Sequence, residues 1–596
     1  MSERICDVNL KRLQNQLKKD GIKAYVVQVT DPHQTEEAHP RYLEERLSLS
    51  SYQGTDGLLL VTQDRSLLWA DGRYWIEAEE ALEGTDTELV RMGDFGVPSM
   101  ARYISENNLY PLAIDLSRMS IADYREYASD KNAQIVDRSY RELTGGSIDP
   151  PESTIWKVDQ SLLSDTFEER LKGVIEKLKA KGAEATLISS LDDVAYILGW
   201  RGNDLEYSPL FYSYLYITVD GKVDLFVNTD KVPESLENLS IHPYDQVWEF
   251  LKAANQQPIP TLIDPQRTSQ RALEVVKKPI LAPNPSQLMK SIKGPTEILL
   301  TKRAHELDGL AVLRLWKWVE DHIVKGGEKA TESELASLVD GFRLERDECY
   351  ALSFSTIVAF RGHGAMMHYA PPKEGSAVVS SDGIDPILLV DSGGQYYGGT
   401  TDITRTFCLG EASDEYRHDY TLTIKSVLAL SSTVFLQGCS GVALDIKARE
   451  NMWREGMDYK CGTGHGVGYM LNVHESPNGF RYRIVPERDD SSELFPGQIQ
   501  SDEPGVYKAG KYGIRIENEL LTIRIDNNKD GMFNAFRNIT YCPLETDFID
   551  LNMMSNFELE RLNEFQERCR RHLEPLTRDF PGLTEFLYEK TKPLSR

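Results

Sequence analysis

The stretch ILLVDSGGQYYGGTTD, residues 387–402, decides the fold of the C-terminal half of this chain. Its first four residues are apolar, which is typical of a buried strand, and Asp391 follows them directly. Paired glycines then favour tight turns before a second aspartate, Asp402. A strand, a glycine-rich turn and a returning strand can bring the two carboxylates to one edge of a sheet. We therefore expect them to meet, although the sequence leaves the register of the strands open.

Two further polar residues lie in glycine-punctuated or turn settings. His465 lies in CGTGHGVG (residues 461–468), where the glycines allow close backbone approach and leave the imidazole uncrowded. Glu503 lies in the turn sequence DEPG (residues 502–505), where proline restricts the backbone at a strand end. Taken alone, each residue fits a structural hydrogen bond as well as it fits a ligand.

The stretch IRIENEL (residues 514–520) is predicted to form one strand. With a period of two, Arg515, Glu517 and Glu519 share one face and the isoleucines share the other. Glu517 can then bind a cation while Arg515 orients a neighbouring carboxylate. A solvated face of mixed charge is the alternative for this strand taken alone.

The potential ligands follow one another along the chain as Asp391, Asp402, His465, Glu503 and Glu517. Four carboxylates and one imidazole are the donors that a pair of hard divalent cations needs when the cations share a water. Each residue alone has a structural alternative, but the five together favour a metal-dependent hydrolase.

Composition and charge narrow the class of partner. The chain has 596 residues, of which 40% are hydrophobic and 27% charged, as in an ordinary globular protein with several domains. Its 67 basic and 93 acidic residues give a formal charge of −26. Because a phosphate backbone or an anionic membrane would be repelled by most of this surface, we expect neither nucleic acid nor membrane partners.

The sequence also predicts a cellular compartment. Residues 1–20 form a charged amphipathic run without the apolar core of a signal peptide, and no stretch approaches about 18 consecutive apolar residues. The seven cysteines lack CxxC spacing, which suits a reducing compartment. We therefore expect a cytoplasmic protein.

Four domains are predicted from the order of apolar runs and breaks. Two α/β domains occupy residues 1–152 and 153–290, with a break at Pro150-Pro151, and a strand-rich domain with intervening helices occupies residues 291–545. Residues 546–596 are expected to form one or two charged helices that pack on the body. The fold class is thus α/β followed by α+β.

Helices of the C-terminal half are predicted from start signals and apolar spacing. A long helix is expected from Pro295 to Val324, after the start signal Gly294-Pro295-Thr296-Glu297. Residues 425–437 and 440–455 also carry helical spacing.

Several motifs of this chain, taken with the five candidate ligands, resemble those of a known family. The chain resembles the metallopeptidases of the pita-bread fold, which include methionine aminopeptidase, prolidase and aminopeptidase P, and within them the large three-domain aminopeptidase P branch. The family's ligand order of Asp, Asp, His, Glu and Glu matches the five residues given above. The motifs that carry the resemblance are VDSGGQY (390–396), TTDITRT (400–406), GTGHGVG (462–468), NVHE (472–475), DEPGVY (502–507), DGRY (71–74), SLDDVA (190–195) and RGND (201–204).

The resemblance implies a fold, a reaction and cofactors. It implies two creatinase-like N-terminal α/β domains followed by a pita-bread catalytic domain. The implied reaction releases the N-terminal residue from peptides with proline in the second position, through attack by a hydroxide that bridges two metal ions. The metals are expected to be manganese, with zinc as the alternative, and all-oxygen ligation plus one histidine is compatible with manganese. A homodimer is also implied.

The resemblance further assigns roles to individual residues. Glu503 is the candidate ligand that also accepts the proton. His368 in MHYAP and His474 in NVHE match substrate-binding positions, where they would stabilise the tetrahedral intermediate or hold the proline side of the peptide. Cys461 departs from the pattern, because animal enzymes of this branch usually have a histidine there that is thought to help proton transfer. A thiol cannot replace an imidazole in that role near neutral pH, so rate and specificity are the properties in question.

The sequence leaves three alternatives to an Xaa-Pro aminopeptidase open. A prolidase would use the same ligands but cut only Xaa-Pro dipeptides. A binding protein without catalysis would keep the fold after losing ligands, whereas all five are present here. A thiol hydrolase would need Cys461 and His465 as a pair, but the sequence offers no third group to orient them.

Overall fold

The computed structural model describes residues 4–36, 42–144, 153–232, 238–485 and 491–596. The chain divides into two compact units, the first comprising Met1–Val158 with Asp165–Gln287 and the second comprising Asp159–Ser164 with Leu288–Arg596. The predicted break at Pro150-Pro151 and the domain boundary at residue 152 lie outside the described residues. The division into four domains stays a prediction.

The first half of unit one is an α/β layer built on a sheet with strand order β4-β3-β2-β1-β5-β6. The predicted amphipathic first helix is present, and it buries Leu10, Leu13 and Leu17 on one face. Its helices and strands are α1 (Ile5–Asp20), β1 (Ala24–Val27), α2 (Glu44–Ser50), β2 (Leu58–Thr62), β3 (Ser66–Ala70), α3 (Trp75–Leu82), β4 (Thr87–Arg91), α4 (Met100–Glu106), β5 (Leu112–Ile114), α5 (Ile121–Tyr127), β6 (Ile135–Asp137) and α6 (Arg141–Thr144).

The second half of unit one repeats this arrangement, with strand order β12-β11-β10-β8-β13-β14. Its elements are β7 (Ile155–Lys157), α7 (Phe167–Ala180), β8 (Ala185–Ile188), α8 (Leu191–Leu198), β9 (Trp200–Gly202), β10 (Ser213–Thr218), β11 (Val223–Val227), β12 (Leu239–Pro243), α9 (Val247–Ala254), β13 (Thr261–Ile263), α10 (Gln270–Val275) and β14 (Pro279–Leu281). In chain order, each sheet places its first strand between its second and fifth. The expectation of two α/β units in tandem is therefore confirmed.

Unit two contains antiparallel sheets with helices packed against them. Up to the first aspartate-bearing strands, its elements are α11 (Gln287–Ser291), α12 (Pro295–Val319), β15 (Ala330–Thr331), α13 (Glu332–Leu344), β16 (Cys349–Leu352), β17 (Ile357–Phe360), β18 (Val378–Val379), β19 (Ile387–Ser392), β20 (Gly394–Tyr396), β21 (Gly399–Thr400) and β22 (Ile403–Cys408). Strand β19 lies between β17 and β22 in one sheet. Helix α12 starts at Pro295 as predicted and continues through a π-helical segment, Glu320–Lys325.

The rest of unit two carries a larger antiparallel sheet with strand order β23-β30-β29-β26-β24-β25, and a separate pair β27-β28. The elements are α14 (Asp414–Ser431), β23 (Val434–Leu436), α15 (Gly441–Leu444), α16 (Ile446–Arg454), β24 (Gly464–Gly466), β25 (Glu475–Phe480), β26 (Ile499–Asp502), β27 (Gly505–Lys508), β28 (Tyr512–Arg515), β29 (Asn518–Asn528), β30 (Gly531–Asn538), α17 (Asn556–Thr577) and α18 (Leu583–Lys590). Helices α17 and α18 form the predicted C-terminal helical extension, and both contribute to the cores of this unit.

The predicted helix over residues 425–437 is wrong at both ends. Helix α14 begins eleven residues earlier, where the Ser413 side chain accepts a hydrogen bond from the backbone N–H of Tyr416. It ends at Ser431, because the next apolar residues pair with β30 as strand β23 and place Phe435 in the core. Sheet pairing with a distant segment thus overrides the local helical spacing.

The predicted single strand over residues 514–520 is also wrong, because it is divided into β28 and β29. Ile516 and Glu517 lie between them, and the backbone N–H of Glu517 donates to the carbonyl of Thr404 instead of continuing the ladder. Ile514 and Ile516 still face the apolar core, as the period of two predicted.

The seven cysteines are free thiols, in line with the absence of paired spacing. Among the described residues, no helix is both long enough and apolar enough to cross a lipid bilayer.

A buried ionic network joins helices α12 and α13 to strand β19. The Arg343 guanidinium donates to the carboxylate of Asp308, and at 2.8 Å to the hydroxyl of Ser392. The Tyr396 hydroxyl donates to the same carboxylate at 2.8 Å. Because Arg343 and Asp308 are completely buried, neither charge has water to replace its partner.

Substitution Arg343→Met is expected to destabilise unit two by about 3–5 kcal/mol, because it leaves the Asp308 carboxylate buried without its counter-charge. Denaturant unfolding followed by tryptophan fluorescence measures the loss. The matched control is Arg303→Met, which removes a partly exposed pair with Glu306 and should cost less than about 1 kcal/mol. Equal losses of unfolding free energy in the two variants would contradict the structural importance assigned to the buried Arg343–Asp308 pair.

Candidate metal centre

The two aspartates predicted to meet lie within or directly beside neighbouring strands of one sheet. Asp391 lies inside β19, where it pairs with Thr404 of β22 on one side and with Ile357 of β17 on the other. Asp402 immediately precedes β22, at the end of the glycine-rich turn. Both side chains are buried. The outgoing and returning strands that the sequence suggested are therefore present, with Asp391 within the strand instead of at its end. The connection between them is not a simple turn, because it contains the short strands β20 and β21 of another sheet.

His465 is presented by the short strand β24, which packs tightly between two neighbours. A Cβ atom at Gly464 would approach the carbonyl oxygen of Ser501 to 1.9 Å, and one at Gly466 would approach that of Glu475 to 2.2 Å. Only glycine therefore allows these strands to come so close on either side of the imidazole. Ring atom Nδ1 lies 2.9 Å from the carbonyl oxygen of Gly466, so Nε2 is the nitrogen turned towards the acidic residues.

Nε2 of His465 lies 3.5 Å from a carboxylate oxygen of Asp402 and 3.5 Å from one of Glu503. Glu503 lies between β26 and β27, at a strand end as the DEPG turn predicted. Glu517 reaches the same place from the break between β28 and β29. One potential ligand atom from each of Asp402, His465 and Glu517 lies within 4.8 Å of the others. Four of the five predicted ligands thus share one small volume.

Asp391 is coupled to this group in two ways. Its charge acts on Asp402 and Glu517, and Arg515 connects it to Glu517 by hydrogen bonds. The Arg515 guanidinium donates to Oδ2 of Asp391 at 2.5 Å and to the Thr404 hydroxyl at 3.2 Å. The Thr404 hydroxyl in turn donates to a carboxylate oxygen of Glu517 at 2.6 Å. A chain of hydrogen bonds therefore fixes the orientation of two of the predicted ligands.

Crowding of carboxylates in a buried place alters their ionisation. Burial raises the pKa of the Asp402 carboxyl well above its usual range, and the charges of Asp391, Glu503 and Glu519 raise it further. Burial likewise raises the pKa of Glu517, with Asp402, Glu503 and Asp391 adding to the effect. These carboxyl groups need either protons or cations to lie together.

The residues present fit a divalent metal site. Oδ1 of Asp391 and Oδ1 of Asp402 are buried and have no hydrogen-bond partner among the described residues. Such oxygens are costly to bury unless a cation or proton satisfies them. Oxygen donors with a single imidazole nitrogen form the donor set expected for hard divalent ions.

The three other positions singled out in the sequence lie as follows. The ring of His474 lies edge-on to that of His465, with centroids 4.3 Å apart. His368 is half-buried in the turn after the short helix Arg361–Ala365. Cys461 is half-buried ahead of β24, and burial together with the Glu503 carboxylate raises the pKa of its thiol to about 12. The thiol therefore stays protonated near neutral pH, which disfavours a thiol hydrolase.

The structure adds residues that the sequence reasoning did not identify. The Tyr507 hydroxyl accepts a hydrogen bond from Arg515 at 3.1 Å, so it helps to hold the guanidinium that contacts Asp391. Arg405 is buried and donates to the backbone carbonyl of Glu517 at 2.6 Å. Both residues lie inside quoted motifs, DEPGVY and TTDITRT, but nothing in a linear sequence shows which distant group each one contacts.

Comparison with known families accounts for nearly the whole chain. The matching family models, with the residues they match, are the creatinase/prolidase N-terminal domain (residues 9–141), a second creatinase/prolidase N-terminal domain (148–297), metallopeptidase family M24 (300–523) and the C-terminal region of peptidase M24 (532–594). All five candidate ligands fall within the metallopeptidase match.

Individual relatives that match nearly the whole chain are aminopeptidases by name. The chain is 31% identical to a probable Xaa-Pro aminopeptidase P of Laccaria bicolor over 98% of this chain and 93% of the relative. It is also 31% identical to Xaa-Pro aminopeptidase 1 of Dictyostelium discoideum over 95% and 93% of the two chains. A solved X-prolyl aminopeptidase from Caenorhabditis elegans, described as a cytosolic enzyme with a di-nuclear active site, superposes with a TM-score of 0.91 at 27% identity, covering 99% of each chain. With two creatinase/prolidase domains ahead of its peptidase domain, this chain belongs to metallopeptidase family M24.

Proposed function

We propose that this protein is a metal-dependent Xaa-Pro aminopeptidase, which releases the N-terminal residue from peptides whose second residue is proline. One observation carries the proposal: potential ligand atoms of Asp402, His465 and Glu517 converge within 4.8 Å in the peptidase domain. Relatives named Xaa-Pro aminopeptidase that match nearly the full chain support the choice of substrate.

Asp391, Asp402, His465, Glu503 and Glu517 would hold two divalent cations, which we propose to be manganese, with zinc as the alternative. The hardness of the oxygen donors supports manganese. When bound, the cations would lower the pKa of a shared water and polarise the scissile carbonyl.

Glu503 is proposed to accept the proton lost by the attacking water. One of its carboxylate oxygens lies 3.5 Å from Nε2 of His465 and accepts a hydrogen bond from the Ser501 hydroxyl at 3.2 Å. The Ser501 hydroxyl, near the end of β26, therefore orients the Glu503 carboxylate. This carboxylate is also more exposed than those of Asp402 and Glu517, as a group that exchanges protons with substrate requires.

His474 is proposed to act on the peptide beside the centre, since its ring packs directly against that of His465. From this place its imidazole would stabilise the tetrahedral intermediate or hold the proline side of the substrate. His368 is proposed to share this role. Arg515 is proposed to keep Asp391 in position, because it donates to that carboxylate at 2.5 Å.

The remaining parts of the proposal concern the whole protein. Resemblance to the aminopeptidase P branch supports a homodimer and the four-domain division at residues 152, 290 and 545. The acidic charge of −26 argues against nucleic acid and anionic membranes as partners. Free cysteines without CxxC spacing support a cytoplasmic location.

A prolidase is the second candidate, because it would use the same ligands. The near-complete match to relatives named Xaa-Pro aminopeptidase favours the aminopeptidase. The two activities differ only in whether residues beyond proline are accepted.

Substitution Asp402→Ala is expected to lower turnover of Arg-Pro-Pro by at least about 100-fold, because it removes a central ligand. The protein should remain folded, since the change also removes one of several buried carboxylates that repel one another. Asp414→Ala, at the exposed start of α14, is the control and should keep wild-type activity. Full activity of Asp402→Ala, or of wild-type protein in chelating buffer, contradicts the mechanism.

Side-by-side assays with Arg-Pro and Arg-Pro-Pro separate the two candidate peptidases. An aminopeptidase is expected to release arginine from the tripeptide, and the measurement is the amount of free arginine from each peptide at equal concentration. Cleavage confined to the dipeptide would establish the prolidase instead.

Binding of Mn²⁺ to chelator-treated protein is expected to strengthen as the pH rises and to release protons. Because the pKa values of Asp402 and Glu517 are raised well above the usual carboxyl range, the metal-free protein holds protons there that a cation must displace. Calorimetric titrations in two buffers with different ionisation enthalpies count the protons released. An affinity that stays constant from about pH 6 to 8 would count against this coupling.

A further inference from the structure

A buried pair of side chains, His305 and Glu519, lies directly behind the candidate metal centre. His305 belongs to α12 and Glu519 to β29, and both side chains are 0% exposed. Nε2 of His305 lies 2.8 Å from Oε2 of Glu519, although the ring is turned so that no well-aligned hydrogen bond forms. No step of the proposed reaction uses either residue.

The other oxygen of Glu519 reaches the backbone of a candidate ligand. Oε1 accepts the backbone N–H of Asp402 at 2.9 Å. Asp402 lies just before β22, whose pairing with β19 ends at Ile403, so this N–H has a side chain as its acceptor. The position of the Asp402 backbone, and with it the reach of its carboxylate, therefore depends on Glu519.

Glu519 is itself firmly anchored. Its backbone pairs with Ser501 of β26, and its N–H donates to the Thr540 hydroxyl at 2.8 Å. Its carbonyl accepts the N–H of Ile539 at 2.9 Å. The residue is thus fixed between β26, the strand that leads to Glu503, and the segment that directly follows β30.

Burying a carboxylate at this place is costly unless something compensates for it. A charge removed from water loses much of its solvation, and an apolar residue of similar size would often serve stability as well or better. His305 offsets part of that cost by facing Oε2. The contact that an apolar residue could not supply is the hydrogen bond to Asp402.

We propose that Glu519, held in place by His305, is a positioning residue that fixes the Asp402 backbone and thereby sets the affinity of the centre for divalent cations. The inference rests on the proposed function, because it takes the centre to bind metal. Glu519 acts through Asp402 because its Oε1 atom reaches the backbone N–H of that residue, and its negative charge is secondary.

Two substitutions of Glu519 distinguish the effect of its side-chain length from the effect of its charge. Glu519→Asp keeps the charge but withdraws the oxygen by one methylene, so Mn²⁺ affinity is expected to fall by about 10–100-fold. Glu519→Gln keeps an acceptor oxygen at the same reach but loses the charge, so affinity should change by less than about threefold. The measurement is calorimetric titration of chelator-treated, full-length protein with Mn²⁺, with thermal unfolding of each metal-free variant to verify folding.

The matched control is Glu306→Gln, which neutralises the glutamate of another histidine–glutamate pair. Nδ1 of His572 lies 2.8 Å from a carboxylate oxygen of Glu306, and the pair is partly exposed. Mn²⁺ affinity should be unchanged in this variant. At saturating Mn²⁺, Glu519→Asp should lower kcat for Arg-Pro-Pro more than it raises KM, because it displaces a ligand and leaves the peptide contacts in place.

Unchanged affinity in Glu519→Asp overturns the proposal, as does a loss in Glu519→Gln equal to that in Glu519→Asp. If Glu519→Asp does not fold, His305→Leu decides, because it removes the contact on Oε2 without altering Glu519. Weakened Mn²⁺ binding that His305→Gln restores supports the proposal, and unchanged binding overturns it. Wild-type protein that binds no Mn²⁺ would instead refute the metal centre itself, so the two failures are distinguishable.

Discussion

The constraint on which the catalytic unit depends is electrostatic: several carboxylates are held together where little water reaches them. Burial and mutual repulsion raise the pKa values of Asp402 and Glu517, so these groups take up protons unless cations are present. One fixed cation, Arg515, contacts the group through Asp391. A single guanidinium does not balance the remaining carboxylates, and the arrangement is therefore suited to binding divalent ions from solution.

Such a cluster can persist only if the scaffold around it is rigid. Arg405 supplies part of that rigidity, because its buried guanidinium donates to the backbone carbonyls of Glu517 at 2.6 Å and Cys542 at 2.6 Å. It also donates to the Asn518 side chain at 2.8 Å. One side chain thus links the strand before α14, the break that presents Glu517 and the segment leading to α17. Fully satisfied buried networks of this kind fix geometry more than they add stability.

The sequence allowed the prediction of features that depend on local pattern. The tandem α/β architecture, the start of α12 at Pro295 and the return of the chain from Asp391 to Asp402 each follow from apolar runs, proline or glycine nearby in the chain. The failures have the opposite cause. The end of α14 and the break before β29 are decided by pairing with β30 and by the carbonyl of Thr404, both distant in sequence.

The same distinction applies to the candidate centre. Glycine-rich motifs and a familiar ligand order pointed to the five ligands, because ligand chemistry restricts residue type at each position. Supporting residues such as Tyr507 and Glu519 are less restricted, since many side chains can donate or accept a hydrogen bond. Their partners are set only by tertiary structure, so a single sequence does not reveal them.

The ionisable groups near Cys461 restrict which residues can transfer protons at the candidate metal centre. With its pKa raised to about 12, the thiol is neutral and adds no further negative charge beside Glu503. The positive charges within electrostatic range of it belong to Arg449, Arg515 and Arg481, and guanidinium groups do not exchange protons near neutral pH. Neither the thiol nor these arginines can therefore relay a proton, which is consistent with the proton-accepting role proposed for Glu503.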